Sequence, residues 1–168
     1  LAELAWSVAS ADLVALTDAK VRSLSRGGLD LILREQPRLA SLMLTMSVVQ
    51  QTAIADRHAQ ALKSDGRGRL IYFLLDLHAR QSIEGAVDWM ELPMTQVQIA
   101  NAVGLSNVHV NVLLRSLEDE GLVERRRNRL RFLDRAGLAG EVGYRERWTN
   151  IDFTWLTGFA RAGAQEAG

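Results

Sequence analysis

Cysteine is absent from the 168 residues. A disulfide scaffold, a cysteine-ligated zinc or iron–sulfur site and a cysteine nucleophile are thereby excluded for this chain. The absence fits a reducing compartment, and a cytoplasmic location is the expectation. Proline is scarce, at 2 residues, beside 48 % apolar and 24 % charged residues. That is a foldable composition, neither disordered nor of low complexity. Neither sign of charge dominates: Lys+Arg and Asp+Glu both number 20, so net charge names no partner. No uninterrupted apolar run approaches the roughly 18–20 residues of a membrane span, and no membrane partner is expected. The first residue is Leu1 rather than Met, without a signal-peptide pattern, and the expectation is that an N-terminal part has been lost. The length suits one ordinary domain or two small ones.

Catalytic groups are also thin. The histidines are His58, His78 and His109, and none has the spacing of a triad or a metal pair. Gly66-Arg67-Gly68 lacks the Lys-Ser/Thr of a phosphate loop. No catalytic residue and no metal site is expected, and the chain is read as not an enzyme.

What is there changes character along the chain. Residues 8–24 read as two short strands, 12–16 and 20–24, with Thr17-Asp18 as a turn between them. Two strands alone are marginal, so a larger sheet is implied. After Gly27-Gly28 the apolar period becomes helical. A short helix around 29–34 leads to Pro37, which suits the first turn of a longer helix ending near Leu62. In that helix Leu39, Leu42, Met46, Val49 and Ala53 step by 3, 4, 3 and 4, a coiled-coil seam of two heptads. The pattern alone leaves open whether this face packs within one subunit or against a second. Asp65 is placed to cap a helix over 67–81, whose Leu70, Phe73, Leu74 and Leu77 face one way. Residues 82–92 read as a loop or irregular strand. The tail, 135–168, reads as helical pieces with a frayed end.

Residues 93–134 carry the functional signal. Thr95 and Gln98 have the spacing of a capping box, and Ile99, Ala100 and Val103 form an inner face. Gly104 ends this helix, Ser106 caps the next, and Val110, Leu113, Leu114 and Leu117 line it until Gly121. Helix, short turn with Gly, helix is the helix-turn-helix arrangement. With Val110 turned inward, the free face of the second helix holds Asn107, Val108, His109, Asn111, Val112 and Arg115. Asn can pair with adenine, Arg with guanine, and an apolar side chain with a thymine methyl, so these six are the candidate base contacts. Residues 122–133 then read as strand, tight turn, strand, with five Arg between 125 and 131. A charge run is usually a solvated face. Directly after a helix-turn-helix, DNA contact is the better reading. Thr95, Gln96, Ser106, Arg125, Arg126, Arg127 and Arg129 are the candidate phosphate contacts.

The runs Leu92–Ala100, Val103–Asn111 and Leu114–Val123 resemble the C-terminal part of the Crp/Fnr family of bacterial transcription regulators. The resemblance covers about residues 8–134, and "LPMTQ…IA" with "VHVN" resembles a proteobacterial branch. It implies a mainly α fold with small β: remnant strands of an effector-sensing β-roll, a long dimerisation helix and a winged helix-turn-helix. The implied domains are 1–26 (end of a truncated β-roll), 27–64 (short helix and dimerisation helix), 65–134 (DNA-binding domain) and 135–168 (tail). It also implies a homodimer on a palindromic double-stranded DNA site, controlled by the N-terminal effector domain. Leu39, Leu42, Met46, Val49 and Ala53 become the dimer interface, Asp65 the hinge, and RNA polymerase a further candidate partner. Two departures matter. Many members carry Arg directly after "VHVN", where it reads guanine. Val112 stands there instead, so either it meets a thymine methyl or the site is weak. Cyclic-AMP-binding members place a Thr-Ser pair late in the dimerisation helix, where this chain has Ile54-Ala55. The usual mode of cAMP binding is therefore not expected, no cofactor is expected within the chain, and the effector is open. The alternative reading is a ligand- or protein-interaction module whose DNA-binding helix has degenerated.

Overall fold

A computed structural model describes residues 14–83 and 85–155. Its elements run α1 (Arg26–Glu35), α2 (Pro37–Lys63), α3 (Gly66–Gln81), β1 (Met90–Glu91), α4 (Gln96–Val103), α5 (Asn107–Asp119), β2 (Val123–Arg126), β3 (Arg129–Phe132) and α6 (Arg135–Val142). The fold is mainly α with a small antiparallel sheet in the order β1-β3-β2. Two compact units divide it. One is Ser47–Phe153; the other ends at Met46 and resumes at Thr154.

Several elements form where local chemistry places them. The Ser25 hydroxyl accepts the Gly28 amide at 3.0 Å and starts α1 one turn earlier than the sequence pattern indicates, with both glycines inside its first turn. Pro37 opens α2 as expected, since its missing N–H has no partner at a first helical position anyway. Asp65 caps α3 by accepting from the Gly68 amide at 2.8 Å. Helix α3 is the centre of the Ser47–Phe153 unit. Its Leu70, Ile71, Leu74 and Leu75 are buried, and Met90, Ile99, Val110, Leu114, Leu117, Val123 and Leu130 close around them.

Two expectations need correction, and the loop or irregular strand expected over 82–92 takes a definite form. Residues 14–25 form no strand, so the segment 20–24 and the described part of 12–16 are not remnant strands there; residues 1–13 lie outside the described residues. A strand needs a neighbour to take its backbone N–H and C=O groups, and no described segment pairs with this one. The segment 82–92 does contribute a strand: β1 pairs with β3, Met90 opposite Leu130 and Glu91 opposite Arg129. In the tail only α6 is helical among residues 135–155; the chain then runs without regular structure, tied down by side chains. The frayed end falls outside the described residues.

Candidate nucleic-acid interface

The capping box predicted at Thr95 is present. The Thr95 hydroxyl accepts the Gln98 amide at 3.2 Å, and the Gln98 side chain accepts the Thr95 amide at 2.8 Å. Gly104 follows α4 with φ +66°, a left-handed conformation that a Cβ makes costly. The Leu105 amide then donates back to the Ala100 carbonyl at 2.9 Å, which closes the turn. Ser106 caps α5 through the His109 amide at 3.2 Å. A 95° bend separates the two helices. Ala100 is buried, so α4 and α5 approach closely where it lies.

Helix α5 is sharply two-sided. Val110, Leu114 and Leu117 are at most 2 % exposed, while Val108 is 72 % and Val112 58 % exposed. Val108, Val112 and Arg115 fall at i, i+4 and i+7 and so share one outward face, with Asn107 exposed beside them. Arg115 is exposed and makes no hydrogen bond or ion pair among the described residues. Thr95 and Gln96 are exposed at the first turn of α4. The Asn111 side chain donates to the Gln96 side chain at 2.7 Å, which brings a candidate base contact and a candidate phosphate contact together. His109 is exposed but leans back: a Cβ placed on Gly66 would meet its ring at 3.3 Å and Leu105 at 3.0 Å. A side chain at residue 66 would push both by a few tenths of an ångström, so glycine suits that approach of the α3 start to the turn. His109 therefore stands at the α3 side of the face, near the Asp65 cap.

The wing differs from its arginine-rich sequence. The β2–β3 register sets Glu124 opposite Arg131 and Arg126 opposite Arg129. Arg125 is half-buried and bonded to Glu118 of α5, so it is not a free cation at the surface. Arg126 and Arg131 both pair with Glu124, and Arg129 pairs with Glu91 at 2.7 Å. Two guanidinium groups lie over the Trp89 ring, that of Arg126 at 4.8 Å and that of Arg131 at 5.0 Å from its centroid. The Arg126 and Arg131 hydrogen bonds hold the Glu124 carboxyl below its ordinary range. Arg127 is the exception. It occupies the hairpin tip with φ +52°, is exposed, and has no partner among the described residues. A non-glycine residue there carries about 1–2 kcal/mol of backbone cost, and the turn presents its side chain outward.

One clamp has no signal in the sequence. Arg67, in the first turn of α3, holds both Glu120 oxygens at 2.7 Å and Glu141 of α6 at 2.9 Å. Planar, two-pronged donation fixes direction as well as distance. It raises the Arg67 pKa and, with the Ser116 hydroxyl, lowers that of Glu120. The C-terminal end of α5 is thereby tied to the helix that follows Asp65.

Among the described residues no group of three or more histidines and carboxylates is gathered to hold a metal ion, and no single helix is long and apolar enough to cross a membrane. Comparison with known proteins fits this geometry. The family model described as a Crp-like helix-turn-helix domain matches residues 68–141. The matched residues run from α3 to α6 and take in the exposed face of α5 and the wing. A curated transcriptional regulator from Lacticaseibacillus casei is 29 % identical over 120 residues, which is 71 % of this chain and 52 % of that protein. FixK2 from Bradyrhizobium japonicum has 20 % identity and a TM-score of 0.60, over 70 % of this chain and 58 % of that one. A transcriptional regulator of the CRP family from Thermus thermophilus has 21 % identity and a TM-score of 0.50, over 74 % and 58 %. At those identities the two structures show likeness of fold. The chain spans about half the length of the curated relative it matches. The Lacticaseibacillus casei and Thermus thermophilus proteins carry descriptions as transcriptional regulators.

Proposed function

We propose that this chain is the dimerisation and DNA-binding part of a Crp/Fnr-type transcription regulator. It acts as a homodimer on a palindromic duplex, under an effector domain N-terminal to α1. The observation that carries this reading is the two-sided α5. Its inner face is fully packed, while Asn107, Val108, Val112 and Arg115 stand free beside Thr95 and Gln96. A packing-only helix pair has no use for such a face. In the major groove, Asn107 and Arg115 supply hydrogen bonds to base edges, and Val108 and Val112 meet thymine methyls. Asn111 acts with Gln96 as a pair, and His109 contributes from the hinge side. Thr95, Gln96, Ser106 and Arg127 meet phosphates, while Arg126 and Arg129 reach phosphates only by giving up glutamate partners. Leu39, Leu42, Met46, Val49 and Ala53 form the seam between copies, with Asp65 as the hinge. A two-fold dimer sets the half-sites about 34–36 Å apart. The liganded state is reached by a shift between pre-existing arrangements of the two recognition helices. Cytoplasmic location and contact with RNA polymerase go with that role. Cyclic AMP in its usual mode does not, since Ile54 and Ala55 offer no side-chain hydrogen bond.

Fluorescence anisotropy with a random duplex pool and then with selected sequences, at several salt concentrations, tests the reading. Salt-sensitive binding that enriches a palindrome is the expected result. No binding by a confirmed dimer favours the second reading, an interaction module, for which the glutamate-paired wing and exposed valines are the motive. Val112→Arg is expected to shift the selected base from thymine toward guanine; an unchanged preference removes Val112 from the base contacts.

A further inference from the structure

Trp148 lies on the chain just past residues 68–141, yet it is buried. It packs against Ala53 of α2 and Ala79 of α3, with Val49 and Tyr144 at its margin. The two facing alanines leave room for the indole. Its N–H donates to Asp76 Oδ1 at 2.7 Å. Asp76 is itself 7 % exposed. Its second oxygen accepts from Arg80 at 3.1 Å and faces Arg57 of α2 at 3.8 Å. The Arg80 guanidinium lies 4.2 Å above the indole ring. One buried carboxylate therefore joins the long helix, the central helix of the domain and the tail.

Further contacts run along the same line. The Gln60 side chain of α2 donates to the Val142 carbonyl at 3.0 Å, and Arg147 donates to Asp56 of α2 at 2.8 Å. Tyr144 meets Tyr72 of α3 edge-on, with ring centroids 5.2 Å apart. Residues 142–148 thus form a strap over the junction of α2 and α3. Among the described residues, no other helix or strand packs broadly on the 47–63 part of α2. The strap adds to the direct Ala53–Ala79 and Arg57–Asp76 contacts between the 47–63 part of α2 and α3.

We propose that Trp148 is a positioning residue: through Asp76 it sets the angle between the C-terminal half of α2 and the recognition helix α5, and hence the half-site spacing a dimer accepts. The inference rests on the dimeric DNA-binding reading above. The physical reason lies in burial. The Arg147–Asp56 pair is partly exposed and weak, whereas a hydrogen bond to a buried carboxylate is strong and costly to leave unmade.

The absence of cysteine makes the test clean. Nitroxides at Gln51→Cys and Asp119→Cys, both exposed positions, report the α2–α5 distance by pulsed electron spin resonance. With the labelled chain diluted in excess unlabelled chain, so that most dimers carry one labelled copy, the expected result is one narrow distribution, and a broadened or displaced one when Trp148→Phe is added. That substitution keeps an aromatic ring and removes the N–H. If Trp148→Phe does not fold, Asp76→Asn takes its place, since it keeps an acceptor for the indole and loses the charge facing Arg57 and Arg80. An unchanged distribution overturns the proposal. Duplexes with the half-sites moved by about one base pair either way give the second readout, because spacing mirrors dimer geometry. A preference of about tenfold for one spacing should fall below about threefold in the variant, with single half-site affinity within about twofold. Broadening without a change in spacing preference overturns the half-site clause. No duplex binding by the unsubstituted protein overturns the DNA-binding reading and that clause together, and the distance distribution then decides the joint by itself.

Discussion

Helices α2 and α5 carry the same sequence signal and meet different fates. Both repeat apolar residues at steps of three and four. In α5 those residues, Val110, Leu114 and Leu117, are buried by α3, α4 and the sheet. In α2 only Ala53 is buried; Leu42, Met46 and Val49 are half-exposed and Leu39 is exposed. Periodicity names the apolar face of a helix but not what covers it. For α5 the cover comes from the same chain. For α2 the other described residues supply little of it, and a second copy is the proposed cover for that face.

The contrast can be broken in order of effect. Leu114→Ala should cost about 3 kcal/mol, because a cavity opens in a packed core. Urea unfolding should show the loss equally at dilute and concentrated protein. Leu42→Ala with Met46→Ala should instead weaken self-association about tenfold or more, read by sedimentation. Its unfolding midpoint should fall only at concentrations where the unsubstituted protein is a dimer. A loss independent of concentration would mean that this face is covered within one chain, and the contrast would vanish.

A finer version of the comparison sets the wing tip against the wing base. Arg127→Ala should reduce the salt dependence of DNA binding by about one phosphate equivalent, because this guanidinium is free. Arg125→Ala should leave that slope unchanged and lower stability by up to about 1 kcal/mol, since its partner is Glu118. Equal changes in slope would show that the glutamate partners yield to phosphate. The smallest effect is on pH. The Glu120 carboxyl is held below its ordinary range by Arg67 and Ser116. A depressed pKa stabilises the fold above the ordinary value and ceases to do so as pH falls through the depressed one. The midpoint difference between the unsubstituted protein and Glu120→Gln should therefore be steady from neutral pH to about 5 and shrink below about 4.

Much of this was readable along the chain because its causes are short-range. The Thr95–Gln98 box, the Ser106 cap, the left-handed Gly104 and the inner faces of α4 and α5 depend on residues three or four apart, and all form as expected. The Asp65 cap does too. The expected strand 20–24 and the described part of 12–16 misled for the opposite reason: a strand needs a partner, and no described segment supplies one. The Arg125–Glu118 pair was hidden for the same reason, because the two residues meet across a helix end. The cue was weak but present in the acidic residues Glu91, Glu118 and Glu124 that flank the arginines.

By itself the sequence determined the order of the helices, their caps, the helix-turn-helix and the faces that are apolar. Those follow from hydrogen bonds and side-chain periods within a turn or two. The tertiary structure alone decided which cations are free, what ties α5 to the start of α3, and what joins the 47–63 part of α2 to α3. Arg67 finds Glu120 across 53 positions, and Trp148 finds Asp76 across 72. Charge partners and buried contacts at that separation depend on where the folded chain brings side chains together, and no local pattern of residues encodes that.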